Sequence, residues 1–219
     1  MGQRSDLAQA GQAAYTPLLL AAYDGLVLGV SNRLVWRCPK DELLALYNRH
    51  VAAEHLYVGV GTGWFLDHCR FPVAAPRVGL VDMNPNSLRA AALRIQRYQP
   101  STHQANVLEP IQLKAPPFRS IGMNYLLHCL PGTITSKAIV FDHLKPLIHE
   151  GCPLFGGTIL HRGVKHTVIS RRLMAFYNRM GLLCNIEDDY AGLQEALASR
   201  FSRFSLETRG AVAIFTAWR

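Results

Sequence analysis

Leu56-Tyr57-Val58-Gly59-Val60-Gly61-Thr62-Gly63-Trp64-Phe65-Leu66-Asp67 is an apolar run that breaks into three alternating glycines and resumes as an amphipathic segment. The run reads as a buried strand, the glycines as a turn and Trp64 to Arg70 as a helix. Glycine tolerates positive φ and carries no Cβ, so Gly59, Gly61 and Gly63 let the chain turn sharply and lie close against a ligand. One strand further on, Arg77-Val78-Gly79-Leu80-Val81 ends in Asp82. A carboxylate at a strand end roughly 20 positions beyond such a loop is placed to grip a ribose. Together they point to a nucleoside-containing cofactor.

Outward from this unit, apolar spacing predicts helices over Tyr15 to Gly29, Pro39 to His50, Asn84 to Tyr98, Ser136 to Glu150, Val168 to Met180 and Asp188 to Arg200. Asn84-Pro85 is a helix start, with a capping side chain and a proline in the first turn. Gly151 and Gly181 stop theirs. Strands are predicted within Val51 to Val60 and over Val78 to Val81, His103 to Val107, Arg119 to Tyr125, Cys152 to Leu160, Phe204 to Thr208 and Val212 to Trp218. Strands alternating with helices imply right-handed crossovers, hence an α/β, Rossmann-like, doubly wound and mostly parallel sheet of seven strands. Arg209-Gly210-Ala211 is too short to join parallel strands, so the chain should end in an antiparallel hairpin. The expected division is a helical cap over 1–50 and a cofactor-binding domain over 51–219.

At 219 residues, 49% hydrophobic and 17% charged, the chain suits one compact soluble domain. The longest apolar stretch, Tyr15 to Val30, is interrupted by Asp24 and is too short to span a bilayer. The first residues lack the basic-then-apolar layout of a secretion signal. The five cysteines form no Cys-x-x-Cys pair, which fits a reducing cytoplasm better than a disulfide framework or a zinc site. The histidines form no metal constellation, and the nearest pair, His161 and His166, has no carboxylate beside it. A formal charge of +8 could favour nucleic acid, but the arginines are scattered and read as a solvated basic face. Oligomeric state is left open.

The glycine loop, Asp82, Asn106-Val107 and the antiparallel ending together resemble the class I S-adenosylmethionine-dependent methyltransferases, over roughly Val51 to Arg219. A nicotinamide or flavin enzyme would also use glycines here, but Gly-x-Gly-x-Gly is tighter than Gly-x-Gly-x-x-Gly. The resemblance implies S-adenosylmethionine as cofactor. It implies that Gly59, Gly61 and Gly63 lie against the methionine and adenosine parts and that Asp82 accepts both ribose hydroxyls. Met83 would pack on the adenine face, Asn106 would bond its amino edge with Val107 beside the ring, and Asn124 would join the same cofactor set. Many members carry an acid two residues before the first glycine, near the cofactor's amine. This chain has Tyr57, which either supports the ammonium form less or simply packs in the strand.

For catalysis the family's lid before the glycine loop suggests Tyr15, Tyr23 and Trp36 as aromatic walls for a sulfonium, against plain core packing. Asn124-Tyr125-Leu126-Leu127-His128-Cys129 follows the fourth strand, where open α/β sheets place their chemistry. Tyr125 and His128 are the internal candidates for base or substrate orientation, with His128 also readable as structural. His161 and Tyr177 are weaker candidates, and Cys129 lacks an activating partner.

The leading expectation is methyl transfer to a small-molecule acceptor. The alternative keeps fold and cofactor but cyclises S-adenosylmethionine to azetidine-2-carboxylate, releasing methylthioadenosine; Tyr57 and the aromatic N-terminus suit it. A non-catalytic binding protein and an RNA methyltransferase are the remaining readings.

Overall fold

The computed structural model describes residues 31–219. Its first half runs α1 (Lys40–His50), β1 (Glu54–Val58), α2 (Trp64–His68), β2 (Arg77–Asp82), α3 (Pro85–Arg94) and β3 (Ser101–Gln104). The second half runs β4 (Ser120–Gly122), α4 (Ile134–Lys137), α5 (Ile139–Leu144), β5 (Pro153–Ile159), α6 (Val168–Arg179), α7 (Tyr190–Ala198), β6 (Arg203–Arg209) and β7 (Val212–Trp218). The strands form one seven-stranded sheet in the order β3-β2-β1-β4-β5-β7-β6. Neighbours from β3 to β5 pair parallel, and β7 runs antiparallel to both β5 and β6. The expected Rossmann-like sheet with its C-terminal hairpin is therefore the fold.

Alternation along each strand splits the core into two layers, one on each face of the sheet. Leu56 and Val58 of β1 and Phe215 of β7 share a cluster with Ile134 of α4, Phe141 of α5 and Leu193 of α7. Tyr57, Phe155 and Ile214 share the other with Leu43 and Tyr47 of α1, Phe65 of α2 and Leu88 of α3. Tyr47 is the hub of this second layer, stacked on Phe65 at 5.3 Å and edge-on to Phe155 at 4.9 Å. Trp36 and Cys38 lie in the same layer, and the Trp36 carbonyl accepts the Ala211 N–H at 2.8 Å. Residues 36–50 thus share a core with the sheet. Among the described residues no helix is long and apolar enough to cross a membrane.

Four elements differ from the sequence pattern, each for a physical reason. The third strand is Ser101–Gln104 rather than His103 to Val107. It is a polar edge strand without hydrophobic alternation, and Asn106 ends it by accepting the Leu108 N–H on its side chain at 3.1 Å. The fourth strand stops at Gly122, before the positive φ of +60° at Tyr125. The helix expected over Ser136 to Glu150 starts earlier, at the Thr133 cap, and is broken into α4, α5 and a tight turn at Lys145–Leu147. Pro146 lies in that turn and cannot donate the N–H that a continuing helix needs. The last helix begins after Asp189, whose side chain accepts the Gly192 N–H at 2.6 Å, and not at Asp188.

Candidate active site

The C-terminal ends of β1, β2 and β4 open into one cleft of about 1090 Å³, counted to open solvent. Gly59 and Gly61 line it, Gly63 does not, and all three have positive φ: +70° at Gly59, +52° at Gly61 and +74° at Gly63. They are not equivalent. A Cβ at Gly61 would meet nothing within 4 Å, so this glycine presents bare backbone to the cleft. A Cβ at Gly63 would lie 3.0 Å from the Cα of Ala91, so this glycine lets α2 start against α3. At Gly59 the added carbon would strike Leu126.

Asp82 closes β2 and faces the same cleft. One carboxylate oxygen accepts the Val60 N–H at 2.8 Å and the other accepts the Asn84 N–H at 2.8 Å. These bonds fasten the glycine loop to β2 and fix the carboxylate plane. The backbone N–H groups of Gly61 and Met83 also bond to the carboxylate. Burial pushes the carboxyl above the ordinary carboxylate range, while backbone N–H groups, Asn84 first and Val60 next, pull it back. Helix capping falls to the neighbouring Asn84, whose side chain accepts the Asn86 N–H at 2.8 Å.

Asn124 is the most telling side chain in the wall. It is 4% exposed, lines the cleft at the end of β4, and both its carboxamide atoms are buried with no hydrogen-bond partner. A buried amide without partners is expensive, so its position implies a ligand that offers both a donor and an acceptor. The ammonium and carboxylate of an amino-acid group meet that description. With Gly61 bare and Asp82 facing the cleft, the residues present fit S-adenosylmethionine.

Comparison with known proteins agrees. The chain is 43% identical to demethylluteothin O-methyltransferase of Streptomyces thioluteus, over 95% of this chain and 90% of that one. It is 35% identical to the physcion biosynthesis cluster O-methyltransferase of Aspergillus chevalieri, over 95% of both chains. The chain belongs to the class I S-adenosylmethionine-dependent methyltransferases. No family model matches it. Among solved structures, the DhpI–SAH complex superposes with a TM-score of 0.66 over 96% of this chain and 95% of that one, at 12% identity, a likeness of fold.

In this methyltransferase the remaining expected cofactor residues are brought together. Tyr57, Met83, Asn106 and Val107 all line the cleft with Asp82 and Asn124. Tyr57 is 3% exposed and meets Tyr47 edge-on at 5.7 Å, so it is both strand packing and cleft wall. The Asn106 carboxamide is partly engaged, its nitrogen donating to Glu109 at 3.0 Å and its oxygen accepting from Leu108. One lone pair on that oxygen remains for a donor in the cleft.

The catalytic candidates separate. Tyr125 lines the cleft, and its backbone sits in the left-handed region, which a non-glycine residue adopts only when its surroundings insist. His128 lies outside the cleft lining. Its Nδ1 accepts the Ile159 N–H at 3.1 Å and sits 3.3 Å from the Thr158 hydroxyl. Burial, aided by the Lys137 charge, drops its pKa to about 3, so the ring is neutral and a weak base in this setting. The geometry gives His128 a structural place between the turn after β4 and strand β5. Trp36, 2% exposed, is core rather than wall. Tyr15 and Tyr23 lie outside the described residues.

Three features were missed in the sequence. Thr62, Trp64 and Phe65 line the cleft straight after the glycines, where their place in the loop could have marked them. Leu182 reaches the same cleft from the turn after α6, with no local signal. Lys137 and Asp188 form an ion pair at 2.7 Å with both side chains 0% exposed. The Lys137 ammonium also donates to the Cys184 carbonyl at 2.6 Å, which ties residues 184–188 to α4.

Proposed function

We propose that this methyltransferase moves the methyl group of S-adenosylmethionine to an oxygen atom of a small molecule. The orphaned carboxamide of Asn124, facing the same cleft as Asp82 and the bare Gly61 backbone, carries the cofactor half of this reading. The oxygen acceptor follows from relatives named O-methyltransferases that match nearly the whole chain. The cofactor, when bound, supplies a methyl carbon activated by a sulfonium leaving group. The chain's part is to hold it: Asp82 accepts from the ribose hydroxyls, Asn124 pairs with the amino-acid end, and Met83 and Val107 bracket the adenine. Tyr57 stands by the amino-acid end as a neutral neighbour. Tyr125, Leu126 and Leu130 give the cleft an apolar wall that excludes water beside the reacting oxygen. An acidic acceptor hydroxyl needs no strong base, consistent with a His128 held neutral and out of the cleft. The scattered positive charge favours a small acceptor over nucleic acid. The setting is cytoplasmic.

The test is calorimetric binding of S-adenosylmethionine and S-adenosylhomocysteine, followed by transfer from methyl-labelled cofactor to a panel of phenols and enols. Binding with label appearing in methyl ethers is expected. A control with cofactor alone would yield methylthioadenosine if ring closure were the reaction, and that product would displace methyl transfer. No affinity for either compound would end the proposal.

A further inference from the structure

α6 buries Ser170, sends Met174 into the layer of Tyr57 and Phe155, and leaves its opposite face open. Five large hydrophobic side chains in and just after this helix, Val168, Ile169, Phe176, Met180 and Ile186, are between 51% and 69% exposed. Among the described residues only four others of that kind are exposed, and those are dispersed along the chain. Exposed apolar side chains met singly are ordinary, whereas a cluster marks a surface that meets an apolar phase or a partner.

The rest of the open face is cationic. With about 3.6 residues per turn, Ile169, Phe176 and Met180 fall on one line along the helix and Arg172 and Arg179 on the line beside it. From Val168 to Met180 every exposed residue is either apolar or arginine, Ala175 and Arg171 included. The helix holds no acid. The acids that follow it are already engaged: Glu187 pairs with Arg162 at 3.1 Å, Asp188 pairs with Lys137 at 2.7 Å, and Asp189 caps α7. Among the described residues Arg171, Arg172 and Arg179 have no ion-pair partner.

We propose that the open face of α6 docks the protein on an anionic lipid surface. Ile169, Phe176 and Met180 enter the boundary between headgroups and acyl chains, and Arg171, Arg172 and Arg179 meet lipid phosphates. An apolar line beside a basic one is the chemistry that such a surface selects. Arginine keeps its charge at headgroup level while its stem lies along the apolar boundary, and its guanidinium matches phosphate oxygens. A helix of 12 residues with one face in the core lies on the lipid and does not cross it. A second copy of the chain fits less well. Two α6 faces brought together would bury three guanidinium groups from each copy, with no acid on either helix to answer them. Another protein would look for hydrogen-bonding side chains, and apart from arginine the exposed residues from Val168 to Met180 offer none. The turn that follows α6 carries Leu182 into the cofactor cleft, so the docked face and the cleft share one helix–turn unit. The docking does not depend on which acceptor is methylated.

The test is flotation of the full chain with vesicles of phosphatidylcholine alone and with vesicles in which about one-third of the lipid is phosphatidylserine. Binding to the anionic vesicles only, weakening as salt is raised, is expected. Each arginine near such a surface is worth about fivefold in partition, so R172Q/R179Q should bind roughly 25-fold more weakly. I169S/F176S should lose at least about tenfold although no charge changes. F176W puts a reporter on the apolar line. Its emission in excess of the wild type should move to the blue with anionic vesicles and stay put with neutral ones. Calorimetric affinity for S-adenosylhomocysteine should stay within about twofold in every variant, because the cleft is a separate surface. A wild type that stays free of anionic vesicles, or binds neutral ones equally well, overturns the proposal. So does an I169S/F176S variant that floats as well as the wild type, since charge alone would then hold the protein. F176W emission already blue-shifted in buffer, or a wild-type dimer that I169S/F176S abolishes in sedimentation, would show the face covered by protein and overturns it too.

Discussion

Replacing Asn124 by leucine should move stability and cofactor affinity in opposite directions. The carboxamide is 4% exposed and neither of its polar atoms has a partner. An unsatisfied buried polar group costs on the order of 1–3 kcal/mol, and leucine keeps the same branched four-atom shape without needing a partner. The ligand-free N124L chain should therefore gain about 1–3 kcal/mol, seen as a rise of roughly 2–4 °C per kcal/mol in a domain of this size. The bound state reverses the sign. Losing two hydrogen bonds to charged groups, about 1.5–3 kcal/mol each, should weaken S-adenosylhomocysteine binding by roughly 10²- to 10⁴-fold. Urea unfolding of the ligand-free protein and calorimetry on the same preparation give both numbers. A variant that is less stable than wild type, or that binds the compound equally well, refutes the assignment of Asn124 to the ligand. Ordinary core packing predicts the first of those results, and a position remote from the cofactor predicts the second.

Gly61→Ala and Gly63→Ala should separate binding from folding. At Gly61 the new methyl meets nothing, so the stability loss is limited to about 1–2 kcal/mol for a left-handed alanine, while it obstructs the cofactor. At Gly63 the methyl strikes Ala91 of α3 as well, and urea unfolding should show the larger loss there. Acid should destabilise the fold through two interior imidazoles. Burial holds His55 and His128 at about 3, against roughly 6.5 in the unfolded chain, so both take up protons on unfolding. Their stabilising contribution is present above about pH 6.5 and drains away as the pH falls toward 3; at pH 5 each ring should have lost about 2 kcal/mol. Urea midpoints at pH 7 and pH 5 measure this, and H55L should flatten the slope. A K137M variant leaves the Asp188 carboxylate buried without its cation and should lose about 3–5 kcal/mol, most of it recovered in K137M/D188L. Equal stability of the single and double variants would show that the pair is inert.

Much of the cofactor side was legible because it is written in short-range signals. Three glycines at alternating positions, a carboxylate ending the next strand, and Asn84-Pro85 opening a helix all depend on backbone geometry within a few residues. The structure places Gly59, Gly61, Asp82, Asn106 and Asn124 around one cleft, with Gly63 behind it against Ala91. The polar strand Ser101–Gln104 was misplaced because an edge strand buries little and leaves no hydrophobic rhythm to read. The helix before β5 was drawn too long because apolar spacing continues through Pro146, where the hydrogen-bond ladder cannot.

The order of strands, the glycine turn and the terminal hairpin follow from the chain's own pattern, since periodicity and turn chemistry act locally. Which polar groups end up without partners does not. Asn124 is singular only because packing removed every partner from it, and His161 and His166 line one cavity only because α6 folds back over the end of β5. His128, set among similar residues in the sequence, is excluded from the cleft by the Ile159 N–H that it accepts. Burial and desolvation are sums over neighbours distant along the chain, so these decisions belong to the tertiary structure alone.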